Sequence, residues 1–304
     1  MSTGNRSVRL PDVIDSGAAQ PPFPTTLHLP DGFQPESVGI GTTPHAYFGS
    51  LADGSVYRVD LLTGEGRTIG KATGSPSAGI KVDSRGRLWV AGAISGGARV
   101  LDGETGAELA SYRLATSRPT LVNDFALTPR AAWATDSFIP VLYRLPLGLD
   151  GRPPAEDEVE RVPLIGDLVY QDGFNANGIA RTPDGEGLLV MQSNTDTLFH
   201  VDPTTGGTRA VDLGGEALDG GDGILLTGRT LYVALGPVHR IAVVELNATG
   251  TAGRVVERIA DSRFDLPTAV AAYGDHLYVA NARFFSVPEP TSTTPYTAVA
   301  IPRP

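Results

Sequence analysis

The chain is predicted to be all-β, and specifically a six-bladed β-propeller with four-stranded antiparallel blades. Glycine and proline, at 37 and 24 of 304 residues, recur at short intervals, as expected for many short strands joined by tight turns. A unit of apolar strand, hairpin and further strands repeats six times along the chain with a period of about 45 residues. The apolar content of 41% is sufficient for a buried core.

The repeat is clearest in the first strand of each unit. The copies begin near residues 35 (PESVGIG), 76 (SAGIKVD), 121 (LVNDFAL), 175 (NANGIAR), 220 (GGDGILL) and 266 (LPTAVAA). One such sheet cannot bury both of its faces alone, so six copies are expected to pack around a common axis. The last copy lacks an outer strand, and the strand-like run at 23–30 is expected to supply it and close the ring. A pair of two-sheet sandwiches is the alternative, but it predicts no fixed period.

Composition also limits the domain organisation and the partners. Residues 23–304 are predicted to form one propeller domain, preceded by a flexible arm over residues 1–22. The arm contains no apolar run, so the chain as written is expected to be cytoplasmic, although a secretory signal that had been removed would leave the same pattern. The net charge of -10 without a basic cluster argues against a nucleic-acid partner, and no segment predicts a membrane anchor. A small-molecule substrate is the expected partner, and the oligomeric state is left open.

Oxygen-bearing side chains recur at one position of the repeat. When the inner strands are aligned on their first apolar pair, the residues two positions earlier are Glu36, Ala78, Asn123, Asn177, Asp222 and Thr268. In a propeller these positions converge at one mouth of the central channel. Carboxylates and amides gathered there need a neutralising cation, and oxygen ligands suit one divalent ion, with Ca²⁺ favoured and Mg²⁺, Mn²⁺ or Zn²⁺ as alternatives. Glu36, Asn177 and Asp222 are the predicted ligands, with Asn123 beside them as a fourth.

Turn formation is the other explanation for three of these positions. The dipeptides concerned are Asn177-Gly178, Asp222-Gly223 and Asn123-Asp124, all of them common in tight turns. Turn chemistry does not explain Glu36, which is followed by Ser37. It also does not explain one shared position in four repeats, whereas metal binding accounts for all four.

In this order and at this spacing, the motifs resemble those of the SMP-30/gluconolactonase/LRE-like propellers, also called regucalcin-like. The motifs are Glu36 in PESVGIG, Asn123 in VNDFAL, Asn177 in NANGIA and Asp222 in GGDGIL. The resemblance implies that Glu36, Asn177 and Asp222 bind the metal, that Asn123 contacts metal or substrate, and that Asp222 doubles as a general base. Sugar-lactone members carry an arginine two positions before the blade-3 asparagine. Leu121 stands there in this chain, which disfavours a polyhydroxylated sugar lactone.

A divalent cation with open coordination positions polarises a substrate carbonyl, which is the chemistry of ester or lactone hydrolysis. Asp222 and Asn123 are the predicted catalytic residues, with Asp222 as the base. The chain has no cysteine and no Gly-x-Ser-x-Gly motif, so no side-chain nucleophile is indicated. The predicted substrate contacts near the mouth are Leu121, Asp124, Asp136, Gln192, Asn281 and Arg283. Phe33, Phe174 and Phe284 are candidates for an apolar rim.

Three functions remain open from the sequence. The first is a metal-dependent hydrolase of a lactone or ester. The second is a non-hydrolytic cyclase, lyase or isomerase of a specialised natural-product pathway, which the apolar Leu121 favours. The third is a binding propeller with a structural ion. The first two require an open ligand position in a pocket, whereas the third requires a closed coordination shell and a shallow mouth.

Overall fold

A computed structural model describes residues 23–304, which form a six-bladed β-propeller as predicted. The predicted arm over residues 1–22 lies outside the described residues. Helical structure within residues 23–304 is limited to three short 3₁₀ turns, at Glu156–Glu158, Ser193–Thr195 and Gly236–Val238. No helix of the described part is long and apolar enough to cross a membrane.

The strands follow one another blade by blade after β1 (Thr26–Leu29). Blade 1 contains β2 (Pro35–Ile40), β3 (His45–Ser50), β4 (Val56–Asp60) and β5 (Gly66–Gly70). Blade 2 contains β6 (Ile80–Val82), β7 (Arg87–Ala91), β8 (Gly97–Asp102) and β9 (Glu108–Arg113). Blade 3 contains β10 (Val122–Leu127), β11 (Ala131–Asp136), β12 (Val141–Pro146) and β13 (Glu160–Pro163).

The second half of the ring repeats this order. Blade 4 contains β14 (Ile165–Gly166), β15 (Ala176–Arg181), β16 (Leu188–Gln192), β17 (Thr197–Val201) and β18 (Gly207–Ala210). Blade 5 contains β19 (Gly221–Thr227), β20 (Thr230–Leu235), β21 (Arg240–Leu246) and β22 (Gly253–Ile259). Blade 6 contains β23 (Pro267–Tyr273), β24 (His276–Asn281) and β25 (Tyr296–Pro302), with β1 as its outer strand.

The N-terminal strand closes the ring, as the sequence predicted. Strand β1 pairs antiparallel with β25, with Thr26 opposite Val299 and Leu29 opposite Tyr296. Leu27 is fully buried and lies in an apolar cluster shared by blades 6 and 1. The first strand of the domain therefore completes the last blade and covers its sheet edge.

Blade 4 differs from the other five by one added strand. The two-residue strand β14 runs parallel to β18, with Ile165 opposite Gly207. The Thr208 hydroxyl donates to the Ile165 carbonyl oxygen at 3.0 Å and accepts from the Leu168 backbone N–H at 2.9 Å. These contacts tie the connection between blades 3 and 4 to an edge that would otherwise be exposed.

The core lies between adjacent blades. All six residues of β11 and all five of β16 are buried, because these strands are covered on both faces by neighbouring sheets. Trp89 of blade 2 packs against Phe125 of blade 3 with their ring centroids 6.0 Å apart. Packing of this kind around the axis gives a rigid frame for whatever the inner strands present to the channel.

Five of the inner strands are irregular near their start. Four of these irregularities span the predicted ligand positions, and the fifth lies between Pro267 and Ala269 of blade 6. In those four, the strand register shifts between Pro35 and Val38, Val122 and Phe125, Ala176 and Ile179, and Gly221 and Ile224. A bulge bends its strand and redirects a side chain, which allows four polar side chains to turn towards the axis from strands that are otherwise apolar.

Candidate metal centre

A cavity of about 340 Å³ opens at the axis, at the end where the inner strands begin. The polar side chains that line it include Glu36, Asn123, Asn177 and Asp222, contributed by blades 1, 3, 4 and 5. Ala78 occupies the aligned position of blade 2 and also lines the cavity. Thr268 of blade 6 does not, since its hydroxyl donates to the Glu36 carbonyl oxygen at 2.5 Å. The structure therefore brings together all four residues that the repeat alignment selected.

Three oxygens at this point are buried without a hydrogen-bond partner: Glu36 Oε2, Asn177 Oδ1 and Asp222 Oδ1. Only two other side-chain polar atoms in residues 23–304 share this condition, so the unpaired groups are concentrated at the axis. Leaving a buried acceptor unpaired costs about 1–3 kcal/mol, and more when it is charged. Oxygen donors of this type suit a hard divalent cation. The described residues contain no group of three or more His, Cys, Asp or Glu side chains that could hold a metal ion. The axial set is not such a group, since two of its four donors are asparagine amides.

The two carboxyl groups are electrostatically unfavourable without a counter-ion. Burial first, and then the negative charges of Asp222 and Asp124, raise the pKa of Glu36 well above its usual value, while the charge of Lys81 acts in the opposite direction. Burial raises the pKa of Asp222 to about 7; the Asn177 side chain and the Gly223 backbone N–H lower it, and the charge of Asp124 raises it further. Both shifts mean that the ionised forms are disfavoured by their surroundings. A divalent cation would balance the two negative charges.

A serine orients the blade-4 asparagine. Asn177 Nδ2 donates to Ser193 Oγ at 3.0 Å, and the Ser193 hydroxyl donates in turn to the Gly221 carbonyl oxygen at 2.6 Å. Since the amide NH₂ group is held by the serine, the Asn177 oxygen is left as the free atom. The chain of contacts also links blade 4 to the residue directly before Asp222 in blade 5.

The same arrangement occurs one blade earlier. Asn123 Nδ2 donates to Ser137 Oγ at 3.0 Å, and the Ser137 hydroxyl donates to the Ala176 carbonyl oxygen at 2.8 Å. Sequence reasoning did not identify either serine. The available signal was a serine directly after the second strand in both blades, at Asp136-Ser137 and Gln192-Ser193. Such outer partners fix the direction of a ligand and commonly matter almost as much as the ligand itself.

The glycines beside two of the ligand positions lie in strands rather than in turns, which corrects the turn interpretation. Gly178 is in β15 and Gly223 is in β19. A Cβ atom on Gly178 would lie 2.4 Å from the Asp222 carbonyl oxygen, and one on Gly223 would lie 2.7 Å from the Thr268 carbonyl oxygen. Glycine is required because neighbouring inner strands approach closely at the axis.

Asp124 does not line the cavity and instead forms an ion pair deeper in the channel. Its side chain is almost fully buried, and Lys81 Nζ donates to both carboxylate oxygens at 2.9 Å. Lys81 approaches from the other end of the axis, where it lines a second cavity of about 580 Å³. That second cavity contains none of the three unpaired oxygens. The pair keeps the channel beneath the metal centre neutral.

Replacing Lys81 by Met is expected to destabilise the protein by about 3 kcal/mol, because Asp124 would be left buried and unpaired. Urea unfolding monitored by circular dichroism measures the change. Lys71→Met, at the exposed and only other lysine of the chain, is the matched control and is expected to have little effect. The double variant Lys81→Met/Asp124→Asn is expected to recover much of the loss. Equal stability of the two single lysine variants would contradict this role.

The cavity walls are apolar, in contrast to its floor. The wall residues come from five blades and are Leu51, Ala78, Ala93, Leu121, Pro237 and Leu266. Phe174, Phe284 and Phe285 form the rim, whereas Phe33 is buried in the core and takes no part. Phe174 is held by stacking on Phe138, with the ring centroids 5.6 Å apart. Of the predicted substrate contacts, Leu121 is the one that lines the cavity.

Asp136, Gln192 and Asn281 end the second strands of their blades, and they hold the loops that form the cavity walls. Asp136 Oδ1 accepts from the Leu121 backbone N–H at 3.0 Å. Gln192 Nε2 donates to Asn175 Oδ1 at 2.8 Å, next to Phe174. Asn281 Oδ1 accepts from the Asp265 backbone N–H at 3.0 Å, next to Leu266. These buried side chains do not line the cavity, but they position residues that do.

Arg283 also supports the rim without lining the cavity. Its backbone has a positive φ of 61°, which redirects the chain after β24. Its Nε–H donates to Asp265 Oδ2 at 3.0 Å, and its guanidinium also donates to the Pro295 carbonyl oxygen. Arg283 thereby fixes the segment that carries Phe284 and Phe285 and does not itself line the cavity.

Comparison with known proteins shows the fold alone. The chain matches no protein-family model, and no curated protein is similar to it in sequence. Among solved structures, the major Malassezia sympodialis allergen Mala s 1 superposes with a TM-score of 0.69 at 14% identity, covering 92% of this chain and 96% of the other. A luciferin-regenerating enzyme superposes with a TM-score of 0.64 at 17% identity, covering 90% of this chain and 94% of the other. Regucalcin from Agrobacterium tumefaciens, described as a calcium-binding protein, superposes with a TM-score of 0.62 at 16% identity, covering 93% of this chain and 96% of the other.

Proposed function

We propose that the protein is a metal-dependent hydrolase of esters or lactones, with one divalent cation held by Glu36, Asn123, Asn177 and Asp222. The observation that carries the proposal is the set of three buried, unpartnered oxygens converging from three blades beneath an open cavity. A cation bound there would give all three oxygens a partner and would favour the ionised forms of both carboxyl groups, whose pKa values burial raises. Ca²⁺ is the favoured ion, since two carboxylates and two amide oxygens are typical calcium donors.

The cation would supply Lewis acidity towards a substrate carbonyl oxygen. Asp222 lines the cavity, and in this proposal it accepts a proton from the attacking water. The water oxygen then bonds to the carbonyl carbon and the acyl C–O bond breaks. The proton held by Asp222 passes to the departing oxygen, which leaves as the alcohol, and the acyl group leaves as the carboxylic acid. Asn123 and Asn177 direct their oxygens through the two serines and transfer no proton.

The solved neighbours support an enzyme and a cation in general terms. The regucalcin structure is that of a calcium-binding protein, and the luciferin-regenerating enzyme shows that this fold serves catalysis. The cavity also supports activity over a purely structural ion, since the unpaired oxygens lie at the floor of a space of about 340 Å³. This volume is within the range of small-molecule sites, at the lower end.

A non-hydrolytic reaction on a carbonyl compound is a second candidate, and the apolar walls favour it. Apart from the ligand set, the described residues place no His, Lys, Tyr or acidic side chain in the cavity lining. A lyase, cyclase or isomerase would use the same cation and would benefit from the exclusion of water.

Turnover in ¹⁸O-labelled water tests the proposal and separates the two candidates. Chelator-treated protein is reloaded with Ca²⁺, Mg²⁺, Mn²⁺ or Zn²⁺ and supplied with a panel of lactones and aryl esters. Hydrolysis predicts cation-dependent turnover with one ¹⁸O atom in the product carboxylate. Cation-dependent conversion without the label would favour the second candidate. Absence of turnover for the whole panel, or turnover unaffected by the chelator, would overturn the hydrolase proposal.

A further inference from the structure

The rim of the cavity exposes three aromatic rings to solvent. Phe174, Phe284 and Phe285 are 53%, 41% and 72% exposed, respectively. Side chains of this size rarely face water together unless they contact a ligand or partner. Phe174 is stacked on Phe138, and Arg283 anchors the segment that carries the other two. The rim is therefore an apolar entrance to the metal centre.

The cavity offers almost no hydrogen bonds beyond its floor. Asn123 and Asn177 each donate one amide N–H to a serine, and the Ser193 hydroxyl already donates to a carbonyl oxygen. No Arg, Lys, His, Tyr or Trp side chain of residues 23–304 lines the cavity. Most hydroxyl groups of a sugar would consequently lose water without gaining a partner, at a cost of about 1–3 kcal/mol for each unpaired group.

The charges at the site are balanced without an anionic ligand. Glu36 and Asp222 would neutralise one divalent cation, and Asp124 is already neutralised by Lys81. A carboxylate or phosphate on the ligand would add an uncompensated charge between apolar walls such as Leu121 and Leu266. The site thus favours a neutral ligand.

We infer that the ligand is an uncharged carbonyl compound with one polar head and an apolar body, such as an alkyl-substituted lactone or an aryl ester. The carbonyl faces the floor and the alkyl or aryl part lies between Leu121, Leu266 and the phenylalanine rim. This substrate class rests on the proposed function for its reaction, but the recognition itself requires no turnover.

Two ketones that cannot be hydrolysed test the inference. 2-Pentylcyclopentanone has one carbonyl and an apolar tail, whereas 5-(2-oxocyclopentyl)pentanoate has the same ring and carbonyl with a carboxylate at the end of the tail. Binding to calcium-loaded protein is measured by isothermal titration calorimetry. The neutral ketone is expected to bind at least about tenfold more tightly than the anion, because only the anion must desolvate a charge. Equal affinity, or preferential binding of the anion, would overturn the inference.

Two variants locate the binding in the cavity. Leu121→Arg introduces a charge into the wall and is expected to weaken neutral-ketone binding at least about tenfold. Phe285→Ala, at a largely exposed position where folding is not at risk, is expected to weaken it about fivefold. Leu62→Arg, at an exposed leucine of blade 1 outside the cavity, is the control and is expected to bind like wild type. Unchanged binding in both cavity variants would contradict the assignment.

The ketone experiment and the hydrolysis assay can fail independently. Tight ketone binding without turnover of any ester would support the inferred ligand class and overturn the proposed hydrolase activity. Hydrolysis confined to a sugar lactone such as gluconolactone, together with no ketone binding, would support the proposed hydrolase activity and overturn the inferred ligand class.

Discussion

The Asp222→Asn variant is expected to lose the axial cation and, with it, hydrolytic activity. The change keeps the side-chain shape but removes one of the two carboxylates at the site. In the wild type, Asp222 Oδ1 has no hydrogen-bond partner. Removal of outer-sphere partners alone commonly lowers metal affinity 10–100-fold, so loss of a charged ligand is expected to lower it at least about 100-fold. Isothermal titration calorimetry with Ca²⁺ measures the affinity, and the ester assay measures the rate.

The same substitution is expected to stabilise the metal-free protein. Burial raises the pKa of Asp222 from its ordinary 3.8 to about 7, so at neutral pH and above the wild-type carboxyl group opposes folding when no cation is present. Metal-free Asp222→Asn should therefore melt above metal-free wild type, while the gain in melting temperature on adding Ca²⁺ should disappear. Asp219→Asn changes an exposed aspartate three residues earlier and serves as the control. A variant that retained the calcium-dependent gain would contradict the role of Asp222.

Ser193→Ala is expected to weaken cation binding about 10–100-fold without touching a ligand atom. Removal of the hydroxyl frees the Asn177 NH₂ group and leaves the Gly221 carbonyl oxygen without its donor. The amide can then rotate, so the oxygen is no longer held towards the cation. The measurement is the calcium dissociation constant, with the melting temperature of the metal-free protein followed in parallel.

A merely structural role for Ser193 would give a different result. It would lower the melting temperature and leave the calcium affinity of the folded protein unchanged. Ser137→Ala is expected to act in the same way through Asn123, but more weakly, because the Asn123 oxygen is not among the buried, unpartnered atoms. Ser84→Ala, at an exposed position of blade 2, is the matched control.

The architecture was predictable because the sequence repeats one strand pattern six times. Six inner strands share an apolar start at regular spacing, and the missing outer strand of blade 6 matched an unassigned run near the N-terminus. The pairing of β1 with β25 follows from these two facts. The extra strand β14 was not predicted, since it contains only Ile165 and Gly166 and depends on contacts of Thr208 far along the chain.

The candidate site was predictable in position but less so in detail. Alignment of the repeats selected the four polar residues that the bulges turn to the axis. It could not separate a glycine needed for a turn from one needed for close strand packing, as at Gly178, because that difference depends on the next blade. Likewise, nothing local distinguishes a polar residue that faces a cavity from one such as Asp136 that binds the backbone of a wall loop.

Metal content of the purified protein tests the central claim most directly. Chelator-treated wild type, Glu36→Gln and the exposed blade-1 control Glu65→Gln are dialysed against Ca²⁺ or Mn²⁺ and analysed by plasma mass spectrometry. We expect about one tightly held equivalent in wild type and in Glu65→Gln, and none in Glu36→Gln, because the variant lacks one of the two carboxylates at the axis. A wild type that remains metal-free, or a Glu36→Gln variant that retains a full equivalent, would contradict the axial metal centre.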